Sequence, residues 1–262
     1  MVVDRAAELL ASARAAVERG RFAEAIAALE GLSASAEASN LRGRALLGLG
    51  RRAEARESFR EACELDPEDP RPHSNLALLV RDDGAHDEAI ALLERALALS
   101  GPNPRTLNNL ANTLSVARRH VEAERVYRQA LQLERTRPAL LGLARLFVHA
   151  ERWAEATPLF VEVLRSGPLQ PELLTELARA ADHSGGLEQA NDALVARAAT
   201  LASVAEARQL ALFATNAAQW RVARAAAARG LALDPDDVDC TLLAARAEVA
   251  EGLDHVAESS LE

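Results

Sequence analysis

The chain has 262 residues, of which 49% are hydrophobic but only 3% aromatic, and it carries a formal net charge of −9. Apolar burial must therefore rest on Ala and Leu in closely packed helices, since sheets call for β-branched and aromatic faces. The acidic balance argues against general nucleic-acid affinity, which needs a concentrated basic surface.

In chain order, the first stretch, MVVDRAAELLASARAAVERG, brings Asp4 and Glu8 in early and has no long apolar core, so it reads as neither a secretory signal nor a membrane span. A cytoplasmic location is expected. From here the sequence repeats itself at a period of about 34 residues. Units begin near Ala6, Ala36, Pro70, Pro104, Arg137, Pro171, Val204 and Val238, the first short and the last truncated, and together they predict a single array over residues 1–262.

Each unit, numbered from its first residue, predicts a helix over positions 2–14 and a second over 17–30. Asn103 to Glu134 is the clearest: Leu107, Leu110, Ala111 and Leu114 fall at i, i+3, i+4 and i+7, and Ala123, Tyr127, Ala130 and Leu131 repeat the spacing. Gly20, Gly50, Gly84, Gly185 and Gly252 mark the turns between the helices, with Arg118, Glu151 and Gln219 in that role elsewhere. Five residues past each turn stands an alanine (Ala25, Ala55, Ala89, Ala123, Ala156, Ala190, Ala223 and Ala257) where two helices can cross closely. Asp66-Pro67, Gly101-Pro102, Gly167-Pro168 and Asp234-Pro235 stop the second helices. Gly185-Gly186 is expected to loosen its turn, and the Ala-rich Arg224 to Arg229 reads as a tightly packed second helix.

The phrases LGLGRRAEARESFREACELDPEDP (47–70), NLALLVRDDGAHDEAIALLERALAL (75–99) and NNLANTLSVARRHVEAERVYRQALQL (108–133) closely resemble tetratricopeptide repeats, over about residues 6–262. The resemblance implies an all-α fold, a right-handed α-solenoid (superhelix) of tandem antiparallel helix hairpins, and a non-catalytic protein-interaction scaffold or adaptor of bacterial type. The chain departs from the pattern at position 4, where the usual bulky aromatic is replaced by lighter residues such as Ser39 and His73. Aromatics persist at position 17 as Phe22, Trp153 and Trp220. The family's carboxylate clamp is not reproduced, because its lysines have no counterpart in a chain whose 30 basic residues are all arginine.

No phosphate-binding loop, dinucleotide fingerprint, zinc-protease or serine-hydrolase phrase occurs, and no catalytic residue, cofactor or metal is expected. Cys63 and Cys240 follow no metal or redox spacing. His149 and His183 share position 13 of successive first helices and are candidates for a common wall, although two solvated side chains is the plainer reading.

The more informative surface is the face of each first helix opposite its core stripe, positions 2, 5, 6, 9, 12 and 13. The resemblance implies that this face lines a concave groove. Position 9 reads Arg14, Arg44, Leu78, Asn112, Arg145, Arg179, Leu212 and Arg246. Five of eight are arginine, more than the arginine content supplies by chance. Units three to five are the least acidic, with Arg71, Arg81, Arg105 and Arg145 against Asp82. We expect Arg71, Arg105 and Arg145 to anchor carboxylates, Asn75, Asn108, Asn109 and Asn112 to hydrogen-bond a peptide, and Arg81, His149 and Arg179 to complete the partner-binding set.

The expected partner is an acidic protein or peptide segment, with no nucleic acid and no membrane. A solvated face stays open as the alternative, its charges satisfied by pairs such as Glu176 and Arg179. Two other roles stay open: the substrate-recognition arm of a larger enzyme such as a transferase, and self-assembly through the last helix, Val238 to Glu251, where Leu242, Leu243 and Val249 lack a following unit. The closing Leu261-Glu262 reads as a vector scar, leaving open a natural continuation.

Overall fold

The computed structural model describes residues 2–165 and 167–259, with side chains over 5–165 and 167–252. The described residues form fifteen helices and no strand: α1 (Val2–Glu18), α2 (Phe22–Leu29), α3 (Ala36–Gly48), α4 (Arg52–Leu65), α5 (Pro70–Asp82), α6 (His86–Ser100), α7 (Pro104–Val116), α8 (His120–Leu133), α9 (Arg137–His149), α10 (Trp153–Leu164), α11 (Pro171–Ser184), α12 (Leu187–Ala199), α13 (Val204–Asn216), α14 (Trp220–Leu233) and α15 (Val238–Ser259). From α3 onward, every odd-numbered helix begins at the residue where the sequence period places a unit.

Helix-starting residues stand at most of these first-helix starts. Ser35, Asp69, Asn103 and Asp237 each accept a hydrogen bond from a first-turn backbone N–H of the helix that follows, and Pro70, Pro104 and Pro171 occupy first helical positions where no N–H is needed.

The turn inside each unit has a different and recurring solution. The residue after the turn donates its N–H five residues back, as Arg51 does to Leu46, Arg119 to Leu114, Arg152 to Phe147 and Gln219 to Ala214. This is the Schellman closure, which requires a left-handed residue at the turn. Gly20, Gly50, Gly84 and Gly185 supply it with positive φ, and Arg118, Glu151 and Ala218 adopt it without being glycine. In the seventh unit the left-handed residue is Ala218 and not Gln219, which lies one place later with φ −92°. Gly252 makes no turn: α15 runs through it, because continuing the helix keeps the backbone bonded at a cost of only about 1 kcal/mol for the glycine. The Gly185-Gly186 turn is tied rather than loosened, since Ser184 Oγ receives the Gly186 N–H and lies 3.0 Å from Thr157 Oγ1.

The core is built from small residues, as the composition requires. Ala25, Ala55, Ala89, Ala123, Ala156, Ala190 and Ala223, the seven turn-following alanines with described side chains, are fully or almost fully buried. The contacts divide the chain into two compact units, Met1–Ala139 and Leu140–Glu262. In the first, each helix packs on its neighbour in sequence from α1 to α8, and α1, α3, α5 and α7 also touch in succession. In the second, α10 to α12 and α13 to α15 pack in the same neighbour-to-neighbour way. The side chains of His255 and Ala257, and Leu261-Glu262, fall outside the described residues.

Candidate functional site

Within the first unit the groove faces of α1, α3, α5 and α7 enclose a cleft of about 490 Å³. Its charged lining is Arg14, Glu18, Glu37, Arg44, Arg71 and Arg105, and its amides are Asn40, Asn75, Asn103 and Asn109, with Leu78 and Thr106 among the remaining wall residues. An open cleft of this order can hold part of an extended peptide.

The charges are not equally available. Arg14 is ion-paired with Glu37. Arg71 donates from Nε and Nη2 to Asp69, at 2.7 to 3.0 Å, a two-pronged pair that also raises the Arg71 pKa. Asn75 donates to Asn40 Oδ1 at 2.9 Å, joining α5 to α3. That leaves Arg44 on α3 and Arg105 on α7 without a hydrogen bond or ion pair, Glu18 on α1 as an unpaired carboxylate, and the Asn109 amide free. An unpaired guanidinium in a recess is the arrangement from which a carboxylate gains most, because no internal partner has to be displaced.

Of the expected residues, Arg71, Asn75, Arg105 and Asn109 therefore meet in one cleft. Arg81 lies outside its lining and pairs with Asp82, which Arg52 also contacts; burial pushes the Asp82 carboxyl up, but the two arginines outweigh this and hold it low. Asn112 is taken up by the Tyr127 hydroxyl, which donates to its Oδ1 at 2.5 Å, and Asn108 keeps a buried Oδ1 with no hydrogen-bond partner.

In the second unit, Arg145 is paired with Glu176 at 2.9 Å. Arg179 lies over the Trp153 ring with 5.3 Å to its centroid, so the Glu176–Arg179 pairing allowed by the sequence is not formed. His183 stacks on the same tryptophan at 4.5 Å, whereas His149 is exposed. The aromatic at position 17 is thus a packing partner for the next first helix, as Phe22 is for Gly48.

Sequence reasoning passed over Arg44, Asn40, Ser74 and Glu18. Arg44 was visible as a member of the position-9 column. Its isolation was not, because which arginines lack partners depends on rotamers and on neighbours one unit away.

Among the described residues no group of three or more His, Cys, Asp or Glu is placed to hold a metal ion, and no helix is long and apolar enough to cross a membrane. The repeated hairpins, all helical and joined by one turn geometry, define the helical-repeat interaction proteins, in the right-handed α-solenoid class. Tetratricopeptide repeat models match residues 10–70, 40–104 and 141–209, and another matches 80–146, so the chain belongs to the tetratricopeptide repeat family. No curated protein matches the chain.

Among solved structures, it is similar to PilF of Pseudomonas aeruginosa, at 21% identity and a TM-score of 0.55 over 80% of this chain and 96% of that one. A tetratricopeptide repeat protein of Parabacteroides merdae matches at 14% identity and 0.57, over 94% and 99%. PilW, a widely conserved type IV pilus biogenesis factor, matches at 18% and 0.53, over 79% and 97%.

Proposed function

We propose that the protein is a non-catalytic scaffold that captures an acidic segment of a partner protein in the cleft of its first unit. The fold supports protein binding in general. The observation that carries the finer reading is the presence of two unpaired arginines, Arg44 and Arg105, in one recess with the free amide of Asn109. These two replace Arg71 and Arg145 as the principal anchors, because the latter are already neutralised by Asp69 and Glu176. The likeness to PilF and PilW contributes the fold and says nothing of this chain's partner.

The test is to recover partners from the native host on the immobilised chain and measure their affinity in solution. Arg44→Glu with Arg105→Glu is expected to weaken binding at least about tenfold, and raising the salt to weaken the wild-type complex as well. A partner whose affinity is indifferent to both changes would sink the reading. The bare face of α15, with Val238, Leu242 and Val249 all exposed, favours a second role, self-association through that helix.

A further inference from the structure

The free charges of the cleft are arranged in order. The first helices succeed one another as α1, α3, α5 and α7. The unpaired groups descend these helices as they cross: Glu18 at position 13 of its unit, Arg44 at position 9, Ser74 at position 5 and Arg105 at position 2. Each step to the next helix moves back about one turn toward the helix start. All four residues line the same cleft, so they mark a diagonal across it with a free carboxylate at one end, a free guanidinium one helix on and another at the far end. The paired groups, Arg14 with Glu37 and Arg71 with Asp69, add no net charge to this line.

We propose that the occupant of the cleft is an extended and charge-polarised segment: two acidic side chains directed at Arg44 and Arg105, and a basic side chain directed at Glu18. This rests on the reading of the cleft as the binding site and specifies what it selects. Neighbouring helices in contact lie about 10 Å apart and rise about 1.5 Å per residue, which puts about 12 Å between Glu18 and Arg44 and about 23 Å between Arg44 and Arg105. An extended chain covers about 3.4 Å per residue and alternates its side chains between two faces, so the basic residue stands about four places from the first acid and the second acid about six places beyond it. A uniformly acidic segment would set like charge against Glu18, and that repulsion is the selective element.

The test uses the full chain and fluorescein-labelled peptides on a Ser/Gly background. One carries lysine, an aspartate about four residues on and a second aspartate about six further. The second has the same order reversed, and two controls replace the lysine by glutamate. Anisotropy titration is expected to show one lysine peptide, in whichever direction the cleft reads, binding about tenfold tighter than its glutamate control. Glu18→Lys should invert that preference while leaving the circular dichroism and melting of the chain unchanged, since Glu18 is exposed and unpaired. Equal or tighter binding of the all-acidic peptide by the wild type overturns the polarised track, as does a lysine preference that survives Glu18→Lys, or no binding by any peptide. The groove reading itself stands or falls separately, on the response of native partners to the Arg44 and Arg105 reversal.

Discussion

Asp69 does three things at the start of α5. Its carboxylate accepts the Arg71 backbone N–H at 2.9 Å and grips the Arg71 guanidinium, while its carbonyl oxygen stands 2.9 Å from His73 Nδ1. Burial raises the carboxyl's pKa, but the hydrogen bonds and charge of Arg71 outweigh this, and the net shift is downward. A carboxyl lower in the folded than in the unfolded chain stabilises the fold above its unfolded pKa, about 4, and loses that contribution as pH falls through the folded value. Asp69→Asn is therefore expected to cost about 1 kcal/mol at pH 7, with the difference from wild type shrinking as the solution is acidified; urea melts at neutral and acid pH measure it. Arg71 also shows what the sequence could not convey. As a residue at position 2 it reads as a free groove cation, yet the aspartate just before the helix satisfies it. Asn112 is the same case, its groove-facing amide held by a tyrosine fifteen residues on.

At the scale of elements, the starts of the first helices from α3 onward were legible from the period to within about a residue, because capping residues or prolines stand at most of them. The second helices begin differently. None of those with a described cap has a side-chain cap, and in four units an arginine before the helix instead pairs with a glutamate three residues later: Arg21–Glu24, Arg51–Glu54, Arg119–Glu122 and Arg152–Glu155. These pairs are exposed, so their value is small, and their recurrence reflects the turn geometry.

Close helix crossings were foreseen at the alanines but not at Gly43, which faces the fully buried Phe59 ring; a Cβ there would stand 2.6 Å from two ring carbons. Gly43→Ala should lower stability by about 1–3 kcal/mol in chemical denaturation, the overpacking outweighing alanine's better helix propensity. The light position 4 of the second repeat, Ser39, is likewise explained only in three dimensions: its buried hydroxyl donates to Glu61 at 2.9 Å.

Over the whole molecule, stability is shared among neighbours, and an end has half the neighbours of a middle. α15 buries Cys240 and Ala247 toward the preceding hairpin and leaves Val238, Leu242 and Val249 exposed at 69%, 63% and 65%. If this face is an assembly surface, light scattering will show a mass that rises with protein concentration and returns to that of one chain in Leu242→Glu with Val249→Glu. A single-chain mass at every concentration would leave the face simply solvated.

The turns within the hairpins carry a practical consequence. Three of the seven are closed by Arg118, Glu151 and Ala218, and a Cβ added to Gly20, Gly50, Gly84 or Gly185 would meet nothing within 4 Å. Their geometry is imposed by the helices on either side, at a cost of about 1–2 kcal/mol for each non-glycine residue. The hairpin tips are therefore natural attachment points: a fluorophore, a tether or a grafted loop placed there projects into open solvent and leaves the packed helix faces untouched.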